Sequence, residues 1–222
     1  MPITIRKGRR TPEEVRRDAV GAARALLINE GPQAVTLKAV AKSLGMTHGN
    51  ITHHFGSVGG LHAALIGAMT RELTAIVGHL AAEMRAGRAS PREIVDTVFD
   101  AFGRGGATRM IAWVELSGKR ADLAPFHAAV ADLVDALTGS VPGRRKIDSA
   151  RVTLAVMLPA FGHALVASDL QSELGIDEDE VRAQVTGSLQ ALLRLMPLAN
   201  GAPAPEGERA SEVRRRRPQV EA

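Results

Sequence analysis

A chain of 222 residues that is 45% hydrophobic can build a sizeable core, and its lack of cysteine excludes disulfides, thiolate metal sites and cysteine nucleophiles. No run of eighteen apolar residues occurs and "MPITIRKGRR" lacks the apolar stretch of a secretory signal, so a soluble cytoplasmic chain with no membrane partner is expected. The net charge of +4 is uneven: residues 1 to 62 carry nine Lys/Arg against four Asp/Glu and residues 63 to 197 fourteen against sixteen, which suits a front that meets a polyanion.

Helical periodicity runs throughout, with no alternating strand pattern bounded by hairpin turns, so the fold class is all-α. Residues 1 to 10 form a basic arm with Arg6, Lys7, Arg9 and Arg10, which reads either as a phosphate- or groove-binding segment or as a solvated tail. At "TPEE", Thr11 caps a first helix, Pro12 takes its first position and Glu14 completes a capping box. Val15, Ala19, Ala22 and Leu26 mark its buried stripe, and Gly31 with Pro32 ends it.

The stretch "TLKAVAKSLGMTHGNITHHF", residues 36 to 55, reads as two short helices. Thr36 caps the first, Leu37, Val40, Ala41 and Leu44 follow at the i, i+3, i+4, i+7 spacing of a half-buried helix, and Gly45 stops it. Thr47 caps the second, with Met46 and Ile51 placed for a hydrophobic staple. At about 100° per residue, Ile51 and Phe55 point inward while Gly49, Asn50, Thr52 and His53 point outward. That outer face is small, polar and free of carboxylates, as a helix entering the DNA major groove requires. Gly49 costs about 1 kcal/mol of helix propensity relative to Ala, which makes sense if a side chain there would hold the helix off the groove. The same pattern also fits a short polar helix facing water in an ordinary bundle.

Further helices are expected at 57–86, 90–104, 107–118, 122–139, 148–170 and 177–196, with Ser90, Asp122, Asp148 and Asp177 at cap positions. The helix from Ser57 carries Leu61, Leu65, Met69, Leu73, Ile76, Leu80 and Met84 on one stripe. It is long enough to bridge a small domain, 11–56, and a larger helical domain, 57–197; Gly59 and Gly60 in its first turn fit either a hinge or close packing. Pro159 is expected to kink the helix that holds it. The last two helices mix large apolar residues with Ala155, Ala160, Ala164, Gly187 and Ser188, which allows close helix packing within one chain or between two. Residues 198–222, rich in Pro, Gly and charge, read as a disordered tail whose Arg214 to Arg217 run is a solvated charge cluster or a phosphate contact.

Phe99, Phe102, Met110, Trp113, Phe126, His127, Met157 and His163 are candidates for the lining of an apolar ligand pocket; aromatic and methionine side chains also fill cores. No Gly-rich phosphate loop, HExxH or GxSxG motif occurs, and the adjacent His53 and His54 point to different faces. Neither a catalytic site, a metal site nor a cofactor is expected.

The pattern T-L-x-x-V-A-x-x-L-G-M-T-x-G-x-I-x-x-H-F over residues 36 to 55, with one helix before it and a divergent helical region after it, resembles the DNA-binding signature of the TetR family of transcriptional regulators. The specific part of the resemblance covers residues 11 to 61. It implies a three-helix helix-turn-helix domain, a homodimer on a near-palindromic operator in double-stranded DNA, and a larger effector-binding and dimerisation domain. A repressor released by an unknown small-molecule effector is the expected function; a DNA-binding protein of the same fold with no effector is the rival. The resemblance sets Thr47, His48, Asn50 and His53 towards bases or nearby phosphates and Thr36 and Lys38 against the DNA backbone. Gly49, Thr52 and His54 complete the expected DNA-binding set, His54 as either a phosphate contact or a packing residue. Two positions depart from the family: Thr52 stands where tyrosine is usual, and Val58 where lysine is usual. Both usual residues touch phosphates, so the basic arm is expected to compensate.

Overall fold

A computed structural model describes residues 11–196; the basic arm and the C-terminal tail, with the expectations attached to them, lie outside the described residues. Every regular element among those residues is helical: α1 (Pro12–Glu30), α2 (Leu37–Ser43), α3 (His48–Phe55), α4 (Val58–Arg85), α5 (Pro91–Phe102), α6 (Ala107–Leu116), α7 (Ala124–Gly139), α8 (Lys146–Leu174) and α9 (Glu178–Leu195), with short 3-10 turns at Pro32–Ala34 and Arg120–Leu123.

Local chemistry sets most boundaries. At α1 the Glu14 amide donates to Thr11 Oγ1 (3.2 Å) and the Thr11 amide to Glu14 Oε2 (2.8 Å), a reciprocal capping box. Ser90 and Asp177 do the same for α5 and α9. Two expected caps are wrong. Asp122 lies inside the 3-10 turn before α7, and Asp148 lies in the first turn of α8, where Arg145 chelates it (2.9 Å to each oxygen). Starting α8 two residues earlier lets that arginine fork satisfy the carboxylate better than one capped amide would. α8 runs through Pro159 without ending there.

α1, α2 and α3 pack into a small front unit. The buried stripe of α1 is Val15, Ala19, Ala23 and Leu27, with Ala22 and Leu26 only partly buried at its edge. The expected Ala22–Leu26 register is corrected because the second half of α1 also meets α6. A Cβ placed on Gly106 would come within 3.4 Å of Leu27 Cγ, and Arg109 of α6 reaches the Ile28 carbonyl (3.4 Å). α2 ends in a Schellman turn: the Met46 amide donates to the Ala41 carbonyl (2.9 Å) and the Gly45 amide to the Lys42 carbonyl (3.2 Å). Gly45 has φ +64°, the left-handed conformation that glycine adopts without steric penalty.

α4 leaves the front unit and forms a wall of the larger bundle, against α5 and α7. Gly67 faces Pro125 and Gly78 faces Leu133, so α4 and α7 run side by side in the same direction and finish at the same end. α8 and α9 pack on each other and on α5. Arg182 of α9 ties that corner together, bonding Asp96 (3.1 Å), Asp100 (2.8 Å) and Glu178 while its guanidinium lies over the Phe99 ring (5.2 Å).

Candidate functional site

α3 exists because Thr47 accepts the Asn50 amide (3.3 Å) at its start and because Ile51 and Phe55 bury themselves on α1 and α2. Full burial of the Ile51 side chain contributes about 1.5–3 kcal/mol, enough to hold a helix of eight residues that would not form alone. His48, Gly49, Asn50 and His53 face solvent, and no Asp or Glu occurs between Thr36 and Gly56. The side chains of Asn50 and His53 make no hydrogen bond within the chain among the described residues, so their donors and acceptors remain open to a partner. A Cβ on Gly49 would meet nothing within 4 Å, so no contact inside the chain demands glycine there.

The remaining members of the DNA-binding set divide by what already occupies them. Thr36 and Thr47 use their oxygens to cap α2 and α3, which leaves each hydroxyl proton free to donate outward. Lys38 projects from the exposed face of α2. Thr52 is half-buried, and its hydroxyl donates to the His48 carbonyl (2.9 Å) on the same helix. His54 is half-buried; its carbonyl accepts from Arg16, whose guanidinium also sits over the Phe55 ring (4.7 Å). Val58, where lysine is usual in the family, packs against the core. Sequence reasoning missed Arg16, since a contact 38 residues away leaves no local signal. It also passed over Lys42, which is exposed on the last turn of α2.

The junction behind α3 is tightly fitted. A Cβ on Gly60 would lie 2.0 Å from the Phe55 carbonyl oxygen, and one on Gly59 would lie 2.8 Å from the Asp122 carboxylate. Close packing accounts for both glycines. Two residues on, His62 is 1% exposed, its Nε2–H donates to the Val35 carbonyl (2.9 Å) and its ring meets the Trp113 ring edge-on, with centroids 5.2 Å apart. Burial pushes the His62 pKa down; the Val35 hydrogen bond and Asp122 oppose that shift, and Lys119 reinforces it. The neutral imidazole therefore joins the front unit to α4 and α6.

Behind the junction, the bundle holds a partly open cavity of about 620 Å³ between α4, α5, α7, α8 and α9. That volume falls in the range of about 300–1,000 Å³ typical of small-molecule sites. Of the pocket residues expected from sequence, Phe102, Phe126 and Met157 line it. Phe99 and His163 line a separate groove beside the Arg182 network. Met110 is fully buried core, Trp113 packs on His62, and His127 is exposed. The walls that sequence reasoning missed are aliphatic, among them Val77, Leu133, Val156 and Leu189. Their periodicity marks them as buried but does not show which of them face a void.

These features fit the comparisons with known proteins. A sequence model of bacterial regulatory proteins of the tetR family matches residues 20–65, which span most of α1, both helices of the turn and the start of α4. The HTH-type transcriptional repressor Rv3405c of Mycobacterium tuberculosis is 30% identical over 188 residues, covering 82% of this chain and 90% of that protein. The HTH-type transcriptional regulator Mb3439c of Mycobacterium bovis matches to the same extent. Among solved structures, a TetR-family transcriptional regulator from Pectobacterium atrosepticum superposes with a TM-score of 0.58 at 20% identity, covering 87% of this chain and all of that one. The multidrug binding protein EbrR, solved with ethidium, gives a TM-score of 0.58 at 19% identity over 79% of this chain and 98% of its own. At such identities the two structures establish the fold. With the matched helix-turn-helix and the relatives that run along most of its length, the chain belongs to the TetR family of bacterial transcriptional regulators.

Proposed function

We propose that this protein is a ligand-responsive repressor that binds a near-palindromic operator as a homodimer and leaves it when a small molecule fills the cavity. The observation that carries this reading is the dual role of α4. Its first turn is wedged against the end of α3 through Gly60, and its second half supplies Leu73, Val77, Ala81 and Met84 to the cavity wall. A ligand that displaces those side chains moves the helix on which the DNA-reading face is seated. Differential affinity for the two helix positions is all that such coupling requires. A small molecule is the effector class suggested by the cavity's size, and EbrR shows that a protein of this fold can hold one.

The dimer rests on α8 and α9. Leu154, Leu158, Leu165 and Val166 of α8 are exposed, as is Leu195 of α9, and Gly162 and Gly187 leave open space beside them. Residues 146–166 are apolar and long enough to cross a membrane, yet the same helix gives Val156 and Ala160 to the core. A surface so apolar on one side and packed on the other suits a second copy of the chain. Two copies would set their α3 helices about one DNA turn apart, about 34–36 Å.

Sequencing genomic fragments retained by the purified protein tests the DNA half of the proposal: one enriched, inverted-repeat motif is expected. Release of that fragment by a metabolite fraction tests the other half. Light scattering should give twice the 23.5 kDa chain mass; a clean monomer at micromolar concentration would remove the paired-helix geometry.

A further inference from the structure

The cavity is chemically lopsided. Leu73, Val77, Phe102, Leu133 and Val156 make most of it apolar, but Arg85, Arg144 and Arg194 line it as well. No aspartate or glutamate lines it. Arg85 and Arg194 lie in the last turns of α4 and α9 and are exposed, Arg144 is half-buried in the α7–α8 loop, and none of the three forms an ion pair within 4 Å among the described residues, although the charge of Arg144 acts on the Asp148 carboxylate. A last-turn arginine offsets the negative end of its own helix, which accounts for Arg85 and Arg194 taken singly. It does not account for Arg144, which sits in the α7–α8 loop, or for all three meeting on one apolar space.

A second observation points the same way. Thr70, Thr74, Ser140 and Thr153, which all line the cavity, each return their hydroxyl to a carbonyl of the preceding turn. Ser149 lines it too, is 1% exposed, and its Oγ has no hydrogen-bond partner. A buried hydroxyl left without a partner is costly unless something else supplies one. The neighbouring carboxylate, Asp148, is held by Arg145 (2.9 Å) with Arg151 at 3.7 Å, and does not line the cavity.

Building on the effector reading above, we propose that the effector is an amphiphile with an oxyanion head group and an unbranched or aromatic apolar tail. The tail occupies the aliphatic part of the cavity. The head lies at the arginine end, where guanidinium forks pair bidentately with carboxylate or phosphate oxygens, and Ser149 adds a neutral donor. A cationic ligand would meet three like charges and no carboxylate on the cavity wall, and a neutral one would leave the arginines unused.

The test is calorimetric titration of the full chain with four ten-carbon probes, each below its aggregation concentration: decanoate, decyl phosphate, decanol and decyltrimethylammonium. At least one anion should bind about tenfold or more tightly than decanol, the factor that about 1.4 kcal/mol represents, and the cation should bind least. The stronger anion identifies the head-group chemistry. Arg144→Gln, a loop substitution outside every helical turn, should remove much of that preference while leaving decanol unchanged; the triple Arg→Lys variant, which retains the charge, should keep most of it. Decanol binding as tightly as both anions, or a preference for the cation, would overturn the head-group assignment and leave the cavity standing as an effector site. No binding by any probe, decanol included, would overturn both.

Discussion

In the front unit, Ala19, Ala23, Leu27, Val40 and Ile51 have essentially no exposed surface and enclose no described cavity; in the bundle behind, Val77, Leu133 and Val156 border about 620 Å³ of open space. Both regions are built from packed helices, so the difference lies in how completely the facing side chains interdigitate. A dense core has few alternative packings and holds α3 in one orientation. A core with a void can rearrange around an occupant at low cost. The region that reads DNA is therefore the stiff one, and the region proposed to sense a ligand is the compliant one.

Substitutions that change core volume should separate the two regions most clearly. Ile51→Ala in the front unit should lower unfolding free energy by about 2–5 kcal/mol, and Ala23→Val, which adds bulk where none fits, by about 1–3 kcal/mol. Val156→Ile adds one methylene into the cavity, where burial is worth about 0.8 kcal/mol, so its denaturation midpoint should stay level or rise slightly. If Val156→Ile is as damaging as Ala23→Val, the cavity is already filled by rearrangement in solution and the contrast between the regions fails.

The next effect concerns what each region contacts. Asn50→Ala and His53→Ala remove unbonded side chains from the outer face of α3. Each should weaken operator binding by about 1–3 kcal/mol, as loss of a base contact does, with little change in thermal midpoint. Equal losses on operator and random DNA would reassign them as phosphate contacts. Gly49→Ala offers a finer comparison, because its Cβ enters empty space. It should raise stability by up to about 1 kcal/mol through helix propensity while reducing operator affinity. Unchanged affinity would mean that the groove does not approach the helix at that point.

How far the sequence revealed these features follows the range of the forces involved. The capping box at Thr11, the helix stop at Gly45 and the inward pair Ile51 and Phe55 depend on residues within a few positions of one another, and spacing alone identified them. The α1 stripe drifted to Ala23 and Leu27 because its partner, α6, lies some eighty residues away. Asp148 looked like a cap because aspartate commonly is one; Arg145 claims it instead. The cavity was least legible of all. Phe102, Phe126 and Met157 reached it, but Phe99, Met110 and Trp113 belong to other contacts with the same apolar character. A void is defined by five helices at once, and no single-helix period encodes it.

The smallest expected effect sits where the two regions meet. Burial keeps the His62 pKa below its ordinary 6.5, outweighing the Val35 hydrogen bond and Asp122, while Lys119 adds to the depression. The unfolded chain therefore takes up a proton as the pH falls below 6.5, whereas the folded chain refuses it until the depressed value is reached. Stability contributed by the neutral ring is fully present above that range and is lost as the pH falls through it. Protonation in the folded state would also bury a charge between Val35, Trp113 and the start of α4. Glutamine can keep a donor for the Val35 carbonyl without titrating, so His62→Gln should reduce the loss of thermal midpoint between about pH 7 and pH 5 relative to the parent chain. Every other histidine is present in both proteins and drops out of that difference. Operator affinity measured over the same range should follow the same ordering if the junction couples the compliant bundle to the stiff front. Superimposable pH curves for the two proteins would show that His62 is a packing residue whose charge state the junction does not feel.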